Sequence, residues 1–174
     1  EKNGKQTLKK LFIFTGPESS GKTTLAERLS ADLNLPLVPE FARQYLENKG
    51  GKYTLEEIDY IAQKQRELES EATGNRVICD TDLLTIYIWK KEVFHVDDPS
   101  LLSFLNSPIR HYLLCEPNIP WVPDPLRENQ WDRERLFNLH LTILRQFDAK
   151  YSILNAESFD DRYLQANSLL QSIL

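Results

Sequence analysis

The segment "LFIFTGPESSGKTTL", residues 11–25, restricts what this chain can fold into more than any other stretch. Its spacing G-x-x-x-x-G-K-T sets Gly16, Gly21, Lys22 and Thr23 in the pattern of a phosphate-cradling loop, with Glu18, Ser19, Ser20 and Thr24 completing it. Glycine at both ends permits positive φ angles and close backbone approach. Consecutive N–H groups then converge on a polyphosphate where the next helix begins, adding its positive dipole end. Lys22 is placed to reach the β- and γ-phosphates, and the Thr23 hydroxyl to ligate Mg²⁺. "LFIFT" has the continuous apolar character of a strand buried on both faces. "KTTLAERLSADL" repeats apolar residues at helical spacing. Strand, loop and helix therefore follow in the order that phosphate binding needs.

The remainder alternates in the same way. Apolar runs at 11–15, 35–38, 76–79, 111–115 and 151–155 are separated by helical patterns at 22–33, 40–48, 54–72, 82–92, 98–107, 132–148 and 160–173. Such alternation implies a three-layer α/β domain, a parallel sheet with helices on both faces. At 174 residues one domain is expected, spanning 9–174 after a polar, unpatterned start, "EKNGKQT", that reads as disordered or tag-like over 1–8. Two stretches break the pattern, "GGKYTLEE" (50–57) and "CEPNIPWVPDPLRENQ" (115–130). A long irregular loop in a compact domain is usually functional, so a lid is expected around 117–135.

A net charge of −5 argues against generic nucleic-acid binding, which wants a basic face. No apolar run reaches the ~18 residues of a membrane span, and no signal peptide is visible. Cys79 and Cys115 each end an apolar run and read as buried, unpaired strand residues, which fits a reducing cytoplasm. His95, His111 and His140 lack metal-ligand spacing and read as structural or surface residues.

Phosphate loops serve many classes. The Asn-Lys-x-Asp motif of GTP switches and the Ser-Gly-Gly signature of transporter ATPases are both absent from this sequence. A small-molecule kinase needs a carboxylate for the acceptor hydroxyl, an acid near Mg²⁺ and arginines over the transferred group. Glu40 ends the second apolar run, where ligands bind in open α/β sheets, with Arg43 one helical turn on; the plain alternative is a helix cap and a surface cation. "VICDTD" offers Asp80 and Asp82, one for Mg²⁺ and one for the hydroxyl, unless either merely caps the next helix. Arg127, Arg133 and Arg135 follow the proline-rich stretch. On a regular helix Arg133 and Arg135 cannot both face one site, and Arg127 is the preferred lid cation.

"GPESSGKTTL", "VPEFARQYLE", "ICDTDLLTIYIW", "YLLCEPNIPWVPDPLRE" and "ESFDDRYLQA" together resemble the NadR-like nicotinamide riboside kinases, from about residue 9 to the end. The resemblance implies a P-loop kinase fold with strand order 2-3-1-4-5. It also implies ATP- and Mg²⁺-dependent phosphorylation of the 5′-hydroxyl of nicotinamide riboside, giving nicotinamide mononucleotide. The adenylyltransferase and helix-turn-helix domains of some members have no counterpart in these residues. A pyridinium substrate calls for aromatic faces and carboxylates. Trp121, Phe41, Tyr45 and Tyr87 are the aromatic candidates, although Trp121 could simply pack its loop and Phe41 with Tyr45 could be core. "ESFDDRY" would border the adenine through its backbone rather than through Ser158 or Asp160, while Asp161 and Arg162 could equally start a helix. The alternatives are a kinase of another nucleoside or small metabolite, and a nucleotide-dependent regulatory ATPase.

Overall fold

The computed structural model describes residues 8–127 and 130–173. The expectation for residues 1–8 therefore falls, Leu8 apart, outside the described residues, as do residues 128 and 129 of the expected lid. The chain runs β1 (Lys10–Thr15), α1 (Lys22–Leu33), β2 (Leu37–Val38), α2 (Phe41–Glu47), α3 (Leu55–Glu71), β3 (Arg76–Asp80), α4 (Leu83–Phe94), β4 (Arg110–Cys115), α5 (Arg133–Gln146), β5 (Tyr151–Leu154) and α6 (Phe159–Ile173). The five strands form one parallel sheet in the order β2-β3-β1-β4-β5, as the motifs imply.

The apolar run of β1 explains its central place. Successive strand side chains point to opposite faces. Leu11 and Ile13 join Val77, Cys79, Tyr112 and Leu114 beneath α2 to α5, while Phe12 and Phe14 join Ile78, Leu113 and Cys115 beneath α1 and α6. With both faces covered, Phe12, Ile13 and Phe14 are wholly buried. α3 opens on a capping box in which Thr54 and Glu57 each bond the other's backbone N–H. The helix expected over 98–107 is replaced by a 3-10 turn, Pro99–Leu102, followed by further turns. Pro108 disfavours helical backbone at the residue before it, and the Ser100 hydroxyl bonds the Asp98 carboxylate at the turn's start. Both cysteines are free and buried. Among the described residues no helix is long and apolar enough to cross a membrane.

The end of β1 delivers the chain to the site. Gly16 takes φ 132°, and a Cβ there would lie 2.7 Å from the Cys115 carbonyl oxygen. An Ala at position 16 must therefore strain its own backbone and push against β4. Gly16→Ala is expected to lower stability by about 1–3 kcal/mol. Chemical denaturation checks this, and an unchanged midpoint would contradict the reading.

Candidate active site

The phosphate loop occupies the turn between β1 and α1. Ser19 takes φ 56°, and Gly21, at φ 87°, precedes α1 with no side-chain cap. The first N–H groups of α1 are thus left for an anion rather than for a neighbouring hydroxyl. Lys22 Nζ donates to the carbonyls of Gly16 (2.9 Å) and Pro17 (2.7 Å). The loop is braced from behind by Arg162, which is wholly buried and donates to the carbonyl oxygens of Ser20 (3.1 Å), Glu116 (2.7 Å) and Ala156 (3.0 Å), and to the Asn118 side chain. Arg162 is more than a helix start: it ties the loop to the ends of β4 and β5. Asp161 does start the helix, its backbone N–H bonding the Ser158 hydroxyl at 3.1 Å, and Asp160 is a surface partner of Arg28.

The Thr23 hydroxyl donates to Asp80 Oδ2 at 2.7 Å, joining α1 to the end of β3. Asp80 Oδ1 is buried and has no hydrogen-bond partner among the described residues. Burial raises the carboxyl's pKa, against the pull of the Thr23 bond and the Lys22 charge. A hydroxyl beside a carboxylate with a spare oxygen is a hard oxygen pair that fits Mg²⁺. Glu40 lies close by. It precedes α2 without capping it, and burial, then the Asp80 charge, pushes its carboxyl up to about 7.

A cavity of about 350 Å³ opens from the loop between α2, α4 and α5, within the range of small-molecule sites. All the loop residues named from the sequence line it, as do Glu40, Arg43 and Arg127. Described residues of the expected lid lie along this side. Val122 N–H donates to Ser19 Oγ (2.9 Å), Arg127 donates to Ser19 Oγ (3.4 Å) and to the Val122 carbonyl, and Arg43 pairs with Asp124 at 3.0 Å. Arg133 and Arg135 are directed to different places, and of the two only Arg135 lines the cleft. Arg133 is the first residue of α5 and runs back to the carbonyls of Ser19 (3.1 Å) and Ile119 (3.0 Å), whereas Arg135 lines the cleft, paired with Glu92 and Asp132.

Five expected residues lie elsewhere. Asp82 is 2% exposed, and both its oxygens are engaged: Oδ2 accepts from Tyr112 (2.5 Å) and Arg110 (3.1 Å), and Oδ1 accepts from the Leu84 N–H (3.0 Å). Thr81, at φ 66°, turns the chain so that Asp82 caps α4 inside the protein instead of facing the cleft. Tyr87 is buried, its hydroxyl donating to Asp97 at 2.8 Å. Phe41 and Tyr45 cluster with Tyr60, and Tyr45 donates to Glu57 at 3.0 Å, so neither ring lines the cleft. Trp121 is not a cleft wall either; the guanidiniums of Arg127 and Arg133 sit 5.9 and 5.6 Å from its ring centre.

The cleft's aromatic wall is instead Tyr53 and Trp89, packed edge to face at 4.7 Å, with the indole N–H donating to the tyrosine hydroxyl at 2.9 Å. Sequence reasoning missed both. Trp89 sits four residues after Thr85, which also lines the cleft, but α4 is apolar on every side and its periodicity singles out no face. Tyr53 lies in "GGKYTLEE", noted only as irregular. His140, expected to be structural or at the surface, is buried and lines the cleft.

The sheet order and loop define a P-loop fold of the nucleoside-kinase type. Residues 11–162 match the AAA_28 family, described as an AAA domain, and the chain belongs to that family. It is similar to the trifunctional NAD biosynthesis/regulator protein NadR of Escherichia coli (strain K12), 29% identical in an alignment 185 residues long that covers 96% of this chain and 44% of that protein. NadR of Salmonella typhimurium is 28% identical over the same shares. The chain thus spans less than half the length of these relatives. Among solved structures, NadR in complex with NR has a TM-score of 0.66 at 20% identity, covering 95% of this chain and 50% of that one. Deoxyadenosine kinase from M. mycoides with bound dCTP has a TM-score of 0.56 at 16% identity, covering 93% and 99%. These two share the fold.

Glu40 carries a measurable signature. Its folded pKa of about 7 exceeds the ordinary 4.5, so the fold favours the neutral acid, and the stability this contributes is lost as pH rises from about 4.5 through 7. Glu40→Gln has no such loss. In thermal melts without nucleotide or metal, the variant should gain on the parent as pH rises, by about 2–3 kcal/mol at pH 8. A difference independent of pH would contradict the assigned environment.

Proposed function

We propose that this chain is an ATP-dependent kinase that phosphorylates the 5′-hydroxyl of nicotinamide riboside. The observation that carries the reading is one cleft shared by the phosphate loop, Glu40 and an aromatic pair, Tyr53 with Trp89. A pyridinium ring is a cation that aromatic faces attract, and NadR, to which the chain is similar, has been solved in complex with NR, which supports this acceptor.

The loop's N–H groups and Lys22 bind the β- and γ-phosphates of ATP. Thr23 and Asp80 would hold Mg²⁺, which supplies charge neutralisation on those phosphates. Glu40 accepts the proton of the 5′-hydroxyl as that oxygen bonds to the γ-phosphorus. The bond from the γ-phosphorus to the β,γ-bridging oxygen breaks, and ADP leaves with the electron pair. Arg127 on the lid meets the charge on the transferred group. Catalysis then rests on positioning and electrostatics, without a covalent intermediate.

Purified protein with Mg·ATP should be offered nicotinamide riboside, thymidine, cytidine and uridine separately, beside a no-acceptor control, with products read by mass spectrometry. Nicotinamide mononucleotide with equimolar ADP, well above the other products, is expected. Phosphorylation of a different nucleoside would overturn the substrate, and ADP without any phosphorylated acceptor would favour a regulatory ATPase. Trp89→Leu should raise KM for nicotinamide riboside by about tenfold, leaving KM for ATP unchanged.

A further inference from the structure

The cleft contains a buried nitrogen for which phosphoryl transfer has no use. His140 lies on α5 one turn after Leu136, is 2% exposed and lines the cleft. Its Nδ1 is 2.7 Å from the Leu136 carbonyl oxygen. A carbonyl only accepts, so the ring proton sits on Nδ1 and Nε2 presents a lone pair. Burial, reinforced by the Lys22 charge, pushes the ring's titration down to about 4 and keeps it neutral. Nε2 is buried with no partner among the described residues, and a buried acceptor left alone costs about 1–3 kcal/mol.

Its surroundings say what it faces. Thr85 lines the same cleft, its hydroxyl 3.4 Å from that of Thr15, the residue before Gly16. Trp89 follows Thr85 by one turn of α4. This wall therefore leads from the phosphate loop to the aromatic pair, and the Lys22 charge reaches His140. A nucleoside with its 5′-hydroxyl at Glu40 and its base at Trp89 would hold its sugar within the cleft that these residues and His140 line together.

We propose that His140 Nε2 is a specificity-determining acceptor for a sugar hydroxyl, so that the site takes ribosyl in preference to deoxyribosyl nucleosides. The inference rests on the nucleoside-kinase reading of the cleft and not on the identity of the base. A hydroxyl at the 2′- or 3′-carbon donates to the lone pair. A deoxy carbon offers only C–H and leaves the nitrogen desolvated and unpaired, the circumstance in which polar sites discriminate best.

The test compares kcat/KM for nicotinamide riboside with its 2′-deoxy and 3′-deoxy analogues in the parent, His140→Leu and His140→Gln. If another nucleoside proves to be the acceptor, its ribo and deoxy forms replace these. The parent should favour the ribosyl form over at least one analogue by about ten- to a hundredfold. His140→Leu should bring that ratio near unity by raising KM for the ribosyl acceptor, with KM for ATP unchanged. His140→Gln, whose amide oxygen accepts a hydrogen bond, should keep part of it. An unchanged ratio in His140→Leu, or a parent indifferent to both deletions, would overturn the proposal. Should the leucine variant fail to fold, His140→Met carries the same comparison. Failure of the kinase reading shows as no phosphorylated nucleoside of either kind, whereas failure of this inference shows as phosphorylation indifferent to the hydroxyl.

Discussion

The hydrogen bond from Thr23 to Asp80 organises the site. It joins the first turn of α1 to the last residue of β3, 57 positions away, which meet because β1 and β3 pair in parallel. Next to it the Thr81 N–H bonds the Phe14 carbonyl at 3.0 Å, locking the same junction through the backbone. Asp80 is nearly buried, and an ionised carboxylate in such a place is costly unless strongly paired. One oxygen on a hydroxyl and the other without a partner among the described residues makes a position suited to a divalent cation. Its charge also reaches Glu40, helping to raise that carboxyl towards neutrality. The metal-holding and proton-accepting roles that we propose thus depend on one pair of residues.

The arginines around the lid, Arg43 of α2 among them, divide into two kinds. Arg43 and Arg135 face carboxylates, those of Asp124 and of Glu92 with Asp132, so their charge is largely matched within the protein. Among the described residues Arg127 and Arg133 instead meet hydroxyl and carbonyl oxygens of the loop and lid, over the face of Trp121. Dipoles orient a guanidinium without neutralising it, which suits the role that we propose for these arginines over a polyphosphate. Trp121 thus serves as a platform for two of the protein's own cations.

Local features were legible in the sequence. The apolar run before Gly16, the glycine spacing and the helical pattern after it each rest on a few adjacent residues, and the strand order agrees with the family resemblance. Glu40 was legible for the same reason, since it ends a strand at the sheet's binding edge. Asp82 was not. Its orientation depends on Arg110 and Tyr112, about thirty residues away, and on positive φ at Thr81, a residue that rarely adopts it. The aromatic wall was hidden similarly, because Tyr53 and Trp89 are 36 positions apart and neither sits in the phosphate motif. Aromatic residues near the motifs, Phe41, Tyr45 and Tyr87, found partners of their own.

The most direct test of the account is a crystal structure with Mg²⁺, AMP-PNP and nicotinamide riboside bound together. The account predicts the metal at Thr23 and Asp80, the 5′-oxygen within hydrogen-bond distance of Glu40, and the pyridinium ring against Tyr53 and Trp89. A ring lodged against Trp121 or outside the cleft, or a 5′-oxygen directed away from Glu40, would contradict it.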